Sequence, residues 1–231
     1  MKHRNSHFAV GYWSRLRYGR PTPDQADIDP KALKRLLPFV FLLDTKPEDT
    51  FTYRLAGTTL SQRYGGELRG RDYLAFWDAD SRRRLTDLLR QSLETGTPVC
   101  LTSIGATEDC RMVEMETVLL PITFGSTMPE RFLGVVQVLT DVAPLTGRAI
   151  SFERLVTSAL VREGEDASNI SHLPPPPPPP PPSDFGGGKR HPRAPHLRLV
   201  VSREGADPLR CDVNEMLRDM FALCGLLRRT P

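Results

Sequence analysis

Residues 39–58 read FVFLLDTKPEDTFTYRLAGT. Phe39 to Asp44 is a short apolar run, and Phe51, Tyr53 and Leu55 alternate with Thr52 and Arg54, the period-2 pattern of a strand with one buried face. Between them Lys46-Pro47-Glu48-Asp49 supplies turn chemistry, so the stretch predicts a β-hairpin closed off by Gly57. Working outward, Thr58 to Tyr64 predicts a helical turn ending at Gly65-Gly66, and Asp72 to Trp77 predicts another. The clearest helix of the chain follows over Asp80 to Glu94. Asp78 or Asp80 caps it, Leu85, Leu88, Leu89 and Leu93 form its apolar stripe, and Gly96 supplies a left-handed stop.

Three further strand signals come next: Pro98 to Ile104, Met112 to Phe124 and Phe132 to Val142. In the second, Val113, Met115, Thr117 and Leu119 oppose Glu114 and Glu116, which predicts a half-exposed strand with both glutamates in solvent. Upstream of the hairpin, Phe8, Tyr12 and Leu16 stand at i, i+4, i+8, predicting an amphipathic helix from Phe8 to Tyr18 that stops near Gly19. Asp29 before Pro30 predicts a short capped helix through Leu36. The order is helix, two strands, several helices, three strands. Strands flanking a helical insert predict an α+β fold with one antiparallel sheet and helices on one face.

The composition changes after this region. A polar stretch, Glu163 to Ser171, leads into nine consecutive prolines, Pro174 to Pro182, and then Gly186-Gly187-Gly188. The tract predicts a polyproline II rod of roughly 28 Å, at about 3.1 Å per residue, acting as a spacer ahead of a glycine hinge. Beyond it lie a strand signal at His196 to Val201 and a helix from about Asp212, with Val213, Met216, Leu217, Met220, Phe221, Cys224 and Leu227 on one face. The plan is therefore an N-terminal helix at 1–20, a domain at 21–160, a disordered proline- and glycine-rich linker at 161–196 and a tail with an amphipathic helix at 197–231.

The formal net charge of +3 is small for 231 residues and arginine is dispersed, which argues against nucleic-acid binding. No run of about 18 apolar residues exists, and MKHRNSH is not followed by an apolar segment, so neither a membrane span nor a signal peptide is expected and the chain is placed in the cytoplasm. Cys100, Cys110, Cys211 and Cys224 lack CxxC spacing and read as reduced, packed thiols.

Three stretches carry a resemblance. They are Trp13-Ser-Arg-Leu-Arg-Tyr-Gly-Arg20 with Pro23 and Asp27-Ile-Asp-Pro30; Leu37-Pro-Phe-Val-Phe-Leu-Leu-Asp44; and Phe51-Thr-Tyr-Arg-Leu-Ala-Gly-Thr58 with Gly65 and Gly70. Asp72-Tyr-Leu-Ala-Phe-Trp77 fits as well. Over about residues 8–145 the chain resembles a family of short, stand-alone bacterial PAS proteins best represented in alphaproteobacteria. The resemblance implies a PAS fold with a five-stranded antiparallel sheet, helices over one face and an N-terminal helix that mediates dimers. It implies a signalling or regulatory role through protein contacts and no assigned cofactor.

The residues themselves offer little catalytic chemistry. All five histidines, His3, His7, His172, His191 and His196, lie outside the span that resembles the family, which leaves it without an imidazole for haem ligation, base catalysis or phosphotransfer. Residues 8–145 contain no Asn, unlike the blue-light flavin domains that share the fold. No G-x-S-x-G, P-loop or G-x-G-x-x-G occurs, and no metal site is expected. For ligand binding the candidates are Arg54, which pairs with a carboxylate across the sheet or anchors an acidic ligand, and Tyr64, Phe76 and Trp77, which fall where a PAS cavity lies. For dimerisation they are Phe8, Tyr12, Trp13 and Leu16. A non-catalytic sensory or regulatory protein is expected, homodimeric, with an unidentified protein partner or a small-molecule ligand; the alternative is a constitutive structural adaptor without ligand.

Overall fold

The computed structural model describes residues 1–161; the linker beyond Val161 and the tail at 197–231 lie outside the described residues. β1 (Val40–Lys46) and β2 (Thr50–Ala56) form the predicted hairpin, with Leu43 opposite Tyr53 and Lys46 opposite Thr50. β3 (Val99–Thr107), β4 (Met112–Ile122) and β5 (Arg131–Val138) occupy the three later strand signals. The sheet has six strands rather than five, all antiparallel, in the order β2-β1-β5-β4-β3-β6. The unforeseen strand is β6 (Ile150–Leu160), which pairs with β3 along its length through two register shifts. Glu153-Arg154 and Thr157-Ser158 break its period-2 apolar pattern, so its strand character comes from the ladder with β3 rather than from local alternation.

Side-chain alternation makes both faces of the sheet apolar. Phe41, Leu43, Met115, Leu119, Phe132 and Val136 point to one face, beneath α2 (Thr58–Arg63), a 3-10 turn at Tyr73–Phe76 and α3 (Ala79–Thr95). Val40, Val118, Leu120, Ile122, Leu133 and Val135 point to the other. In α3, Asp78 is the cap, accepting from the Ser81 amide at 2.8 Å, and Gly96 adopts φ 63 as its left-handed stop. Leu85 and Leu89 of its predicted stripe are buried, while Leu88 and Leu93 are partly so.

The second face is covered by the N-terminal helix α1 (Arg4–Leu16), which begins earlier than predicted because the His3 ring caps it through the Asn5 amide. Trp13 is buried against β4 and its indole donates to the Pro121 carbonyl at 2.7 Å. The Tyr12 hydroxyl accepts from the Asp29 amide at 2.8 Å. That contact bears on a second difference: residues 29–36 form successive i→i−3 turns instead of a helix, and Leu33 and Leu36 still pack beneath α1. Covering this face also overturns the solvent placement of Glu116. It is buried and accepts from the amides of Lys2 and His3 at 2.5 and 3.0 Å, the donors that a helix start leaves without intrahelical partners; Glu114 keeps partial exposure beside Lys2 at 2.6 Å. Nor are both described cysteines packed. Cys100 is half-buried, but Cys110 is exposed in the β3–β4 turn at φ 58. Among the described residues no helix is long and apolar enough to cross a membrane.

Gly134 marks the tightest point of the inner core, since a Cβ there falls inside the van der Waals envelope of the Phe41 ring. Gly134→Ala is expected to cost about 3 kcal/mol in urea unfolding, the upper end of typical overpacking penalties. In a Phe41→Leu background, which removes the obstructing ring atoms, the same substitution is expected to cost under about 1 kcal/mol; equal costs in both backgrounds would show that the ring is not the obstacle.

Candidate functional site

Glu153 of β6 stands opposite Gly105 of β3, and Ser103, two residues away, shares the same face of that strand. The Tyr64 residue that closes α2 reaches the same point from above. Its hydroxyl donates to Oε1 of Glu153, and the Ser103 hydroxyl donates to Oε2 at 3.1 Å. Both donors are neutral. Glu153 is 3% exposed, and burial pushes its carboxyl up to about 7 against the opposing pull of those two hydrogen bonds.

The main chain around Glu153 is fastened as well. Its carbonyl accepts from the Asp78 amide at 3.2 Å, beside an isolated bridge between Trp77 and Glu153. Asp78 caps α3, and the Ser81 hydroxyl donates to Asp78 at 2.7 Å while accepting from the Leu155 amide at 2.9 Å. The first turn of α3 is thus pinned to β6 on both sides of the buried carboxyl.

Aromatic rings fill the space around it. Tyr64 meets Phe76 edge-on at 4.7 Å between centroids, Tyr53 meets Tyr73 at 5.7 Å, and Tyr73 meets Trp77 at 5.9 Å. Burial, with the Glu153 charge adding to it, raises the Tyr53, Tyr64 and Tyr73 phenols well above their ordinary range, so they remain protonated donors. Tyr73 Oη and Trp77 Nε1 are buried with no hydrogen-bond partner among the described residues. Most buried polar groups are paired, so two unpaired donors in one interior are an exception. No group of three or more His, Cys, Asp or Glu able to hold a metal occurs among the described residues.

Of the candidate ligand residues, Tyr64, Phe76 and Trp77 therefore come together in one interior. Arg54 does not join them. It is on the exposed face of β2, pairing with Asp44 at 3.3 Å, and Asp44 also lies 2.7 Å from Arg131. Among the dimer candidates, Tyr12 and Trp13 are buried against the chain's own sheet, Phe8 is 38% exposed and Leu16 is partly buried. Sequence reasoning missed Glu153 and Ser103, and it read Tyr53 and Tyr73 only as strand and turn residues. The available signal was a glutamate between Phe152 and Leu155 in a run long enough for a strand.

A sequence-family model described as PAS domain matches residues 1–137. Solved structures that match the chain include one reported as "Flavin Analogue Sheds Light on Light-Oxygen-Voltage Domain Mechanism", at 15% identity and TM-score 0.40, covering 51% of this chain and 88% of that one. The dark structure of the blue-light photoreceptor Aureochrome1 LOV matches at 14% identity and TM-score 0.39, over 50% of this chain and 85% of that one. A Rhodobacter sphaeroides LOV protein matches at 16% identity and TM-score 0.37, over 50% and 71%. No curated protein matched the chain. With more than half of its 231 residues inside the family model, and with that antiparallel sheet and its helices in place, the chain belongs to the PAS domain family.

Proposed function

We propose that this PAS protein is a non-catalytic sensory or regulatory module whose input is read at Glu153 and whose output is a change in protein contacts. The observation that carries this reading is the buried carboxyl, raised to about 7 and held only by the hydroxyls of Tyr64 and Ser103. A group at that point changes charge near neutral pH, and through Tyr64, Ser103 and Asp78 it touches α2, β3 and the start of α3. The unpaired Tyr73 and Trp77 donors support a small polar ligand as the input. The competing reading, a constitutive structural adaptor, draws on the close aromatic filling of the same interior. Protein contacts through the exposed Phe8 edge of α1 provide a route to a homodimer.

Native mass spectrometry of the full chain, purified from its natural source under mild conditions, separates these readings. A retained small molecule, displaced by Tyr64→Phe or Trp77→Phe, is the result expected of a sensor. A ligand-free protein whose subunit count does not respond to pH or to added cell extract would leave the adaptor.

The raised carboxyl also predicts a pH dependence of stability. Below the ordinary glutamate value both folded and unfolded chains are protonated and Glu153 contributes nothing. As pH rises, the unfolded chain ionises first, so the folded state loses stability until pH passes about 7. Relative to Glu153→Gln, the wild-type protein is expected to lose about 3 kcal/mol between pH 4 and pH 8, measured by urea unfolding. A constant difference between the two proteins across that range would remove Glu153 as the titrating group.

A further inference from the structure

A surface groove of about 520 Å³ opens between α2 and the loop Val142–Ala149 that leads into β6. Its size falls within the range of small-molecule sites. Thr59, Gln62 and Arg63 line one side, and Leu145, Thr146 and Ala149 line the other. Arg63 sets its chemistry. The side chain is half-buried, with its guanidinium carbon 5.2 Å from the centroid of the Phe39 ring, and Nη1 is sealed from solvent with no hydrogen-bond partner. Burial lowers its pKa from the ordinary arginine value, and no carboxylate among the described residues opposes that.

Other arginines of the domain are placed differently. Arg20, Arg90 and Arg131 each face a carboxylate, as does Arg148, the second cation of this groove, which Asp109 holds at 2.7 Å. Arg63 is thus a partly desolvated cation at the groove, with the Phe39 ring 5.2 Å from its guanidinium carbon. With Nη1 sealed, the remaining N–H donors of the guanidinium are left to meet the oxygens of a carboxylate or phosphate. Leu145 and Ala149 add apolar surface beside it, which suits an organic body better than a bare hydrated ion.

We propose that this groove binds a small organic oxyanion, a carboxylate or a phosphate monoester, with its charged head on Arg63 and its apolar body against Leu145 and Ala149. The assignment rests on the groove alone and is independent of the reading of the Glu153 interior.

The test is a titration of the full chain, labelled with ¹⁵N, against benzoate, phenyl phosphate, neutral benzamide and inorganic phosphate, following the amides of Gly65, Gly147 and Ala149. At least one organic anion is expected to shift these amides saturably, with benzamide at least tenfold weaker; which anion binds tighter identifies the head group. Arg63→Gln should weaken that binding at least tenfold. Thr146→Glu, an exposed rim substitution that leaves Arg63 intact and introduces a competing carboxylate, should do the same even if the first variant folds poorly. Absence of saturable shifts with both organic anions overturns the proposal, as does unchanged binding in the Thr146→Glu protein. Inorganic phosphate binding as tightly as phenyl phosphate overturns the apolar half of the assignment and with it the organic ligand.

Discussion

A carboxyl group removed from water must find donors or take up a proton, and Glu153 lies between those outcomes. Its two donors are hydroxyls, which stabilise the anion far less than a guanidinium would, and burial outweighs them. The same residue's backbone anchors Asp78, and Asp78 starts α3. One residue of an edge strand therefore joins β3, α2 and α3. A hydrophobic residue at this point would pack the same elements together without giving them a common titratable contact.

The sheet imposes a second condition. Each of its central strands alternates apolar side chains toward both faces, so neither face tolerates water. α2 and α3 cover one, and α1 covers the other. This explains why the aromatic side of α1 turns inward on its own domain. It also explains the burial of Glu116, which forms part of the floor on which α1 starts and accepts its first amides. An N-terminal helix that supplies four of the twelve buried residues of the outer core is an integral element of this domain. Of the helix's aromatic residues Phe8 keeps an exposed edge, while Tyr12 and Trp13 are buried.

Features set by neighbours in sequence were legible from sequence. The hairpin and α3, with its Asp78 cap and Gly96 stop, rest on local spacing, whereas the grouping of Tyr64, Phe76 and Trp77 came from where the family resemblance places a cavity. What escaped depends on partners far along the chain. β6 acquires its strand identity from β3 about fifty residues earlier, and Glu153 becomes a buried group only when that pairing places it beneath Tyr64. Glu116 reads as a solvent residue until α1 is laid over it, 113 positions away in sequence. Arg54 lies where the strand's alternation fails: the register shift between Leu42 and Leu43 leaves it without a pairing partner, so Thr52 is buried, Leu55 is exposed instead of facing the core, and Arg54 turns outward to Asp44.

The end of α2 draws these points together. Consecutive residues on a helix diverge by about 100°, which at the last turn sends Tyr64 inward to Glu153 and leaves Arg63 on the surface groove. The interior and the groove thus share one short helix of six residues, fixed at its start by Gly57. Gly57 is itself confined, since any Cβ there collides with the backbone of Leu37 and Pro38. Arg63 and Tyr64 stand at the opposite end of the helix from this confined glycine. Coupling between two such sites is reciprocal: a ligand that prefers one protonation state of Glu153 shifts the proton affinity of that carboxyl in the same proportion. Tyr64, the hydrogen-bond donor to Glu153, and Arg63, the cation of the groove, are adjacent residues at the end of one helix, so the interior and the groove meet at a single peptide bond.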